Sequence, residues 1–447
     1  MPDAVEHLTS LFTPSKESLS LLLADFQDEV RRGLAGERSS ISMNPSFVSR
    51  PSGREAGRFV ALELGGSNVR ATVLELAGGG PVAVLRHESF RLTPTSGAAV
   101  DLFGPLAAFL GGVLEPGQHY ALGFIFAFPV HQDGVARGRL AKWTKEFEFE
   151  GVVGRDVVRL LEEAIARESE SQPALRALTV SALANDTVAV LASGAYLDPR
   201  CDMGLVVATG TNMAVAMDRS HFAGSLPPAA GGRDEMLFNM ESGNFEGVRR
   251  VQTPYDRTLD DQSGTEGQLL EKMVSGRYLG ELVRLAVCDL SSHLDSKKTR
   301  FSDWTGTQSA LRVPYGFTTE HLSDVAYDSS NGLSSAGMLL SALGVSASTL
   351  FERRLLRRIC RLVADRSARL VAMGIAATAL YMDPGLKATH VVAADGSLFR
   401  LAPGYQAEVE RGLREILGNG GANRVQLAYL RDGPGVGAAI IAAVAAG

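Results

Sequence analysis

Residues 58–76 read RFVALELGGSNVRATVLEL, and the passage from Leu64 to Asn68 decides how the rest of the chain is read. Phe59 to Leu64 and Val69 to Leu76 are apolar, strand-forming runs, and the Gly-Gly-Ser-Asn between them is small and polar, as a tight hairpin requires. Glycines lack a Cβ, so the same turn lets backbone N–H groups approach a ligand. Ser67 and Asn68 add donors suited to phosphate oxygens. For one such turn taken alone, the plain hairpin is the simpler reading.

The turn has echoes. Residues 202–218, DMGLVVATGTNMAVAMD, place Thr209, Gly210, Thr211 and Asn212 between two further strands. Residues 389–401, THVVAADGSLFRL, predict a third turn at Asp395-Gly396-Ser397, again between strands. Three glycine-bearing turns of this kind point to a divided phosphate-binding site. A fourth glycine cluster, LAYLRDGPGVGAAIIAAV at 427–444, puts Gly433, Gly435 and Gly437 where a strand gives way to a helix, whose N-terminus favours anions. A dinucleotide fingerprint is not expected there, because only ten residues follow Gly437. No GxxxxGK[ST] motif occurs, which argues against a P-loop.

Between the first two turns, LTVSALANDTVAVLASGAYL at 178–197 predicts a buried strand over Leu178–Ala184 and a helix over Val188–Tyr196. Asn185-Asp186-Thr187 falls at the junction. An Asn or Asp N-cap, worth about 1 kcal/mol, fits this position. So does a carboxylate placed to accept a substrate hydroxyl's proton. Further polar candidates are Thr144 and Lys145 in LAKWTKEFEFEG, Asn212, Glu241 in LFNMESGNFEG, and Glu271 in GQLLEKMVSGRYLGELVRL. Any one of them is more commonly a solvated side chain. Together they are the acceptors and donors that a polyhydroxylated ligand needs.

A chain of 447 residues exceeds one ordinary core, so two domains are expected. A net charge of −6 argues against a nucleic-acid binder. Cys201, Cys288 and Cys360 are widely spaced, giving neither a zinc site nor a disulfide framework and favouring a reducing, cytoplasmic setting. The N-terminal sequence lacks a secretory pattern. The most apolar run, 435–447, is shorter than the roughly 20 residues of a membrane span and reads as a buried helix. The arginine-rich run 352–370 reads as a helix with a solvated face.

Taken together, LELGGSNVR, GFIFAFPVHQDGVARGRLAKWTK, NDTVAVLASGAY, ATGTN, NMESGNF, LLEKMVSGRYLGELVRL, AADGSLFRLAP and DGPGVGAAII resemble the hexokinase family of the eukaryotic glucokinase–hexokinase type. They follow its order from about residue 20 onward. The resemblance implies an α/β, two-domain actin-like ATPase (ribonuclease H-like) sugar-kinase fold with a cleft between its domains. The small domain would span 58–185, completed by the C-terminal helix 432–447. The large domain would span 186–431, with the N-terminal helical segment 1–57.

The implied activity is transfer of the γ-phosphoryl group of Mg-ATP to the 6-hydroxyl of a hexose, glucose foremost, with ATP and Mg²⁺ as cofactors. Asp186 would be the catalytic base and Lys145 would lie near the transferred group. Thr144, Lys145, Asn185, Asp186, Asn212, Glu241 and Glu271 would hold the sugar. Gly65, Gly66, Ser67, Asn68, Thr209, Gly210, Thr211, Asp395, Gly396, Ser397 and Gly433 would hold the nucleotide. No direct protein ligand to the metal is implied, Glu63 acting through water. Hexose and ATP are the expected partners, with no nucleic acid or membrane, in a monomer or homodimer.

Five departures from the family pattern stand out: Glu63 for Asp, Ala127 for Ser, Ala208 for Gly, Thr265-Glu266 for Asn-Pro, and Pro434 for Ser. They leave open a weakly active sugar sensor, or a preference for mannose, fructose or N-acetylglucosamine. A chaperone-type ATPase would share the phosphate turns without needing the WTK and LLEK segments.

Overall fold

The computed structural model describes residues 2–144, 147–224, 226–293, 304, 306–345 and 347–447. The expected first hairpin is present: Ala56–Leu64 pairs antiparallel with Asn68–Ala77, Leu64 opposite Val69. Val60, Ala61 and Leu62 are all buried, because this strand is central and both of its faces are covered.

Around this hairpin a five-stranded sheet is built. Ala83–Arg91 adds antiparallel beyond Asn68–Ala77, while Tyr120–Phe126 and then Leu178–Ala184 add in parallel on the other side. A second sheet repeats the plan. Cys201–Val207, Thr211–Asp218 and Glu235–Asn239 run antiparallel, and His390–Asp395 and Val425–Tyr429 follow in parallel. The two-residue strand Asn44–Pro45 extends its far edge. The Gly-Gly-Ser-Asn and Thr-Gly-Thr-Asn turns therefore occupy the same place in two equivalent halves, each a ribonuclease H-like sheet of the expected two-domain α/β fold.

Each half ends in a helix after its fifth strand, Asp186–Leu197 and Gly433–Ala446, and these two helices pack on one another between the sheets. Both are rich in Ala and Gly, which lets their backbones close up. A Cβ on Gly437 would collide with the carbonyl oxygen of Ala189. The 435–447 run is thus a buried helix, as its composition predicts.

Two sequence expectations are corrected. Asp395-Gly396-Ser397 does not join two strands, for a short helix, Ser397–Leu401, follows it. His390–Asp395 belongs to the parallel part of its sheet, where a tight turn cannot return the chain to a neighbouring strand. Gly396 is needed here for another reason: its φ is +125° and a Cβ would strike the backbone of Val207.

The arginine-rich run lies on a 33-residue helix, Leu350–Met382, but its arginines are not all solvated. Arg366 is fully buried and grips both oxygens of Asp256 at 2.6 and 2.7 Å, under the Phe12 ring. Arg369 pairs with Glu415. Helices Lys16–Leu34, Leu279–His293 and Tyr405–Ala422 wrap Leu350–Met382 on several sides, so its polar face is partly covered too.

Candidate functional site

The chemistry-bearing residues gather where strands of both sheets end. Leu178–Ala184 runs into Asn185, whose side chain caps the next helix by accepting the Thr187 N–H at 2.8 Å. Asp186 opens that helix. Its Oδ1 accepts the Thr187 N–H at 2.8 Å and the Thr187 hydroxyl at 3.2 Å, with Thr187 itself fully buried. Asn185 therefore takes the capping role at this junction, and Asp186 follows it as the first residue of the helix.

Glu63 ends the first strand and is half-buried. Burial raises its pKa; Arg70, 3.1 Å away, opposes that shift, while the charges of Asp186 and Asp395 add to it. Asp186 and Asp395 thus both lie within electrostatic reach of Glu63. Asp395 is held by the backbone N–H groups of Gly396 at 2.6 Å and Gly433 at 3.1 Å, and burial raises its pKa as well. The helix N-terminus at Gly433 consequently already donates to a protein carboxylate.

On the large sheet, the Thr209–Asn212 turn is braced from outside. The Thr211 N–H donates to Glu271 at 2.9 Å, and Gly210 must be glycine because a Cβ there would lie 2.6 Å from Oε2 of Glu271. Asn212 Nδ2 donates to Asn239 at 2.7 Å, and its Oδ1 accepts the N–H groups of Met213 and Ser242. Asn239 in turn donates to Glu241 at 2.8 Å. Burial raises the pKa of Glu241, the Asn239 amide opposes the shift, and Asp186 adds to it.

Glu241 itself has φ +55°, and Gln268, which leads into the helix carrying Glu271, has φ +56°. Left-handed non-glycine residues cost of order 1 kcal/mol or more and persist only where the surroundings fix them. Glu241 thus sits at a strained corner, and the helix carrying Glu271 starts from another.

Asn185 and Glu241 line one small cleft with Ser46, Phe128, Gln132 and Asn239. Asn239 and Gln132 are not singled out by the sequence reading. Asn239 ends its strand two positions before Glu241 in NME, and that proximity in sequence was the available signal. Gln132 carries none, since its amide donates to the distant carbonyls of Leu183 and Ser46.

Ala127 sits beside the first turn, its N–H donating to the Leu64 carbonyl and its Cβ near Gly65. Thr265, in the altered loop, accepts from the buried Lys272 ammonium at 2.6 Å, which also pairs with Asp260. Pro434 occupies the first turn of its helix, where a missing N–H costs nothing. Thr144 adjoins Trp143, whose ring is packed among Phe126, Phe128, Phe147 and Phe149. No hydrogen bond among the described residues ties Thr144 to the rest of the set. Lys145 lies outside the described residues.

Among the described residues no group of three or more His, Cys, Asp or Glu side chains could hold a metal ion by itself, and no helix is long and apolar enough to cross a membrane.

Two family models, each described as hexokinase, match residues 4–196 and 202–444, meeting where one half of the fold gives way to the other. The hexokinase of Kluyveromyces lactis is 34% identical, the match covering 98% of this chain and 91% of that protein. Hexokinase-1 of Saccharomyces cerevisiae is 33% identical, with 99% and 92% covered. A solved hexokinase from Schistosoma mansoni, complexed with glucose, superposes with a TM-score of 0.84 at 31% identity, covering 99% of this chain and 98% of that one.

Proposed function

The chain belongs to the hexokinase family and is a hexose phosphotransferase, and we propose that it moves the γ-phosphoryl group of ATP to the 6-hydroxyl of glucose with Asp186 as general base. The position of Asp186 carries this reading. It lies within electrostatic reach of Glu63, beside the Gly65–Asn68 turn, and of Glu241, in the cleft of amides and carboxylates. A nucleotide held at the turn and a sugar held in the cleft would meet at this carboxylate.

Asp186 Oδ1 is engaged by Thr187, leaving Oδ2 to take the hydroxyl proton as the oxygen attacks phosphorus. Asn185 caps the helix and fixes where that carboxylate points. Glu241 and Glu271 supply acceptors for sugar hydroxyls, while Asn212 and Asn239 spend most of their hydrogen bonds holding Glu241 and the second turn in place. Alignment of hydroxyl and phosphorus is the main contribution required, because the transferring group makes few covalent demands on a protein.

The donor set suits Mg²⁺ bound chiefly through nucleotide oxygens and water. The nearby groups are hard carboxylate oxygens, yet Asp395 is occupied by two N–H groups and Glu63 by Arg70. Glu63 and Asp395 would hold it through water, and when bound it neutralises charge on the phosphoryl oxygens.

Residues 58–185 with 432–447 are proposed as one jaw, and 186–431 with 1–57 as the other. Supporting this division, Gly433–Ala446 packs on strands Ala56–Leu64 and Tyr120–Phe126, while Leu19, Leu22, Phe26 and Val30 of the N-terminal helix join the core beneath the second sheet. Sugar contacts from both jaws would favour closure, excluding water from the phosphoryl group.

The test is ADP formation from ATP by the purified chain with glucose, mannose, fructose and N-acetylglucosamine, with the phosphorylated carbon identified by NMR. Glucose 6-phosphate is the expected product. ADP formation indifferent to every sugar would overturn the reading, and sugar binding without turnover would identify a sensor.

A further inference from the structure

The phosphate turn at Gly65–Asn68 has a cationic neighbour that the sequence reading leaves unused. Arg91 ends the edge strand Ala83–Arg91, and the ladder sets it directly opposite Asn68, the last residue of the turn. The next residue fastens the strand to the turn itself, the Leu92 N–H donating to the Ser67 carbonyl at 2.7 Å.

Which face Arg91 occupies follows from its neighbours. Phe90 packs against the tilted ring of Phe109 in the core on the outer face of the sheet, so strand alternation sends Arg91 to the inner face. The pairs opposite one another along that inner face are Thr72 with His87, Arg70 with Ser89, and Asn68 with Arg91. Thr72 and His87 are hydrogen-bonded at 3.0 Å, and Thr72 lies under Gly435 at the start of the C-terminal helix. The row therefore runs from that helix outward past Arg70, which pairs with Glu63, to Asn68 and Arg91.

Charge decides what Arg91 does there. Glu63, Asp186 and Asp395 make this region anionic, which opposes entry of a polyphosphate. Arg70 is already committed to Glu63 at 3.1 Å. Arg91 is exposed and makes no ion pair or side-chain hydrogen bond among the described residues. The space over Gly66 is open, with nothing within 4 Å of where a Cβ would stand. A phosphate seated over that glycine would lie between the turn's N–H groups and the Arg91 guanidinium, which has no ion-pair partner among the described residues.

We propose that Arg91 is a nucleotide-anchoring residue, its guanidinium binding polyphosphate oxygens of ATP over the Ser67–Asn68 turn. The assignment rests on the nucleotide reading of that turn. It predicts a specific division of effects, because Arg91 does not line the cleft proposed for the sugar.

The test is calorimetric binding of MgADP, and separately of glucose, to the full chain carrying Arg91→Gln or Arg91→Lys, at low and high salt. Loss of one charge-assisted contact should weaken MgADP binding about tenfold in R91Q and flatten its salt dependence. R91K should recover part of the affinity, since a lysine still offers a point charge. Glucose binding and melting temperature should not change, the side chain having no partner to lose. Equal MgADP affinity in wild type and R91Q overturns this assignment alone. Failure of the wild-type chain to bind MgADP overturns both the assignment and the nucleotide reading beneath it.

Discussion

Glu63 and Arg70 stand directly opposite each other in the first hairpin, and their side chains meet at 3.1 Å. The carboxylate that the family pattern would place here on a shorter arm is thus folded back on a cation, within reach of the charges of Asp186 and Asp395. If its charge serves the nucleotide, Glu63→Gln should lower kcat/KM for ATP by about a hundredfold, the loss expected when alignment at the reacting centre is disturbed. Glu63→Asp should match or exceed wild type. Steady-state kinetics of the two variants decide this, and wild-type turnover by Glu63→Gln would refute it.

Glu241 pays for its position. Its folded-state pKa is raised, chiefly by burial, so ionisation costs stability. Stability from this group is fully present below the unfolded pKa and is lost as pH rises through the raised folded value. Glu241→Gln should therefore melt higher than wild type in the absence of sugar near pH 7.5, with a smaller margin near pH 5, where wild type also carries the proton more often. The same variant should lose glucose affinity. Equal melting temperatures at both pH values would contradict the electrostatic argument.

The sequence made much of this site legible because its main parts are local. Asn185-Asp186-Thr187 announces a strand-to-helix junction, and Gly-Gly-Ser-Asn and Thr-Gly-Thr-Asn announce hairpins, through residues that act within a few positions of themselves. What escaped is long-range. The Glu271 bond to Thr211, the Asn212–Asn239–Glu241 chain and the Gln132 bridges join residues far apart in sequence or hidden within a motif. The misreading of Asp395-Gly396-Ser397 has the same origin. A glycine turn after a strand looks alike whether the next element is a strand or a helix, and only the parallel pairing of His390–Asp395 separates them.

Trp143 reports on the cleft. Its indole N–H donates to the Phe149 carbonyl at 3.0 Å and its ring lies among four phenylalanines next to Thr144. Closure on a sugar should alter its surroundings, whereas Trp304 is fully buried elsewhere. Titration with glucose should change the intrinsic fluorescence of wild type and leave Trp143→Phe silent. An unchanged signal across the hexoses would count against the cleft as the sugar site.

Arg366 predicts a stability effect unrelated to catalysis. It and Asp256 are both nearly inaccessible and share two hydrogen bonds. Asp256→Ala strands a buried guanidinium and should cost about 3–5 kcal/mol. Urea denaturation measures it, and a loss under about 1 kcal/mol would mean that water or another group reaches Arg366.

In the proposed reaction Asp186 takes the proton of a sugar hydroxyl during phosphoryl transfer. Its most direct test compares glucose-dependent ADP release by wild type and Asp186→Ala, with glucose binding by calorimetry alongside. The variant should turn over at least about a hundredfold more slowly with glucose affinity largely kept. A variant that binds glucose and still turns over at the wild-type rate would contradict it.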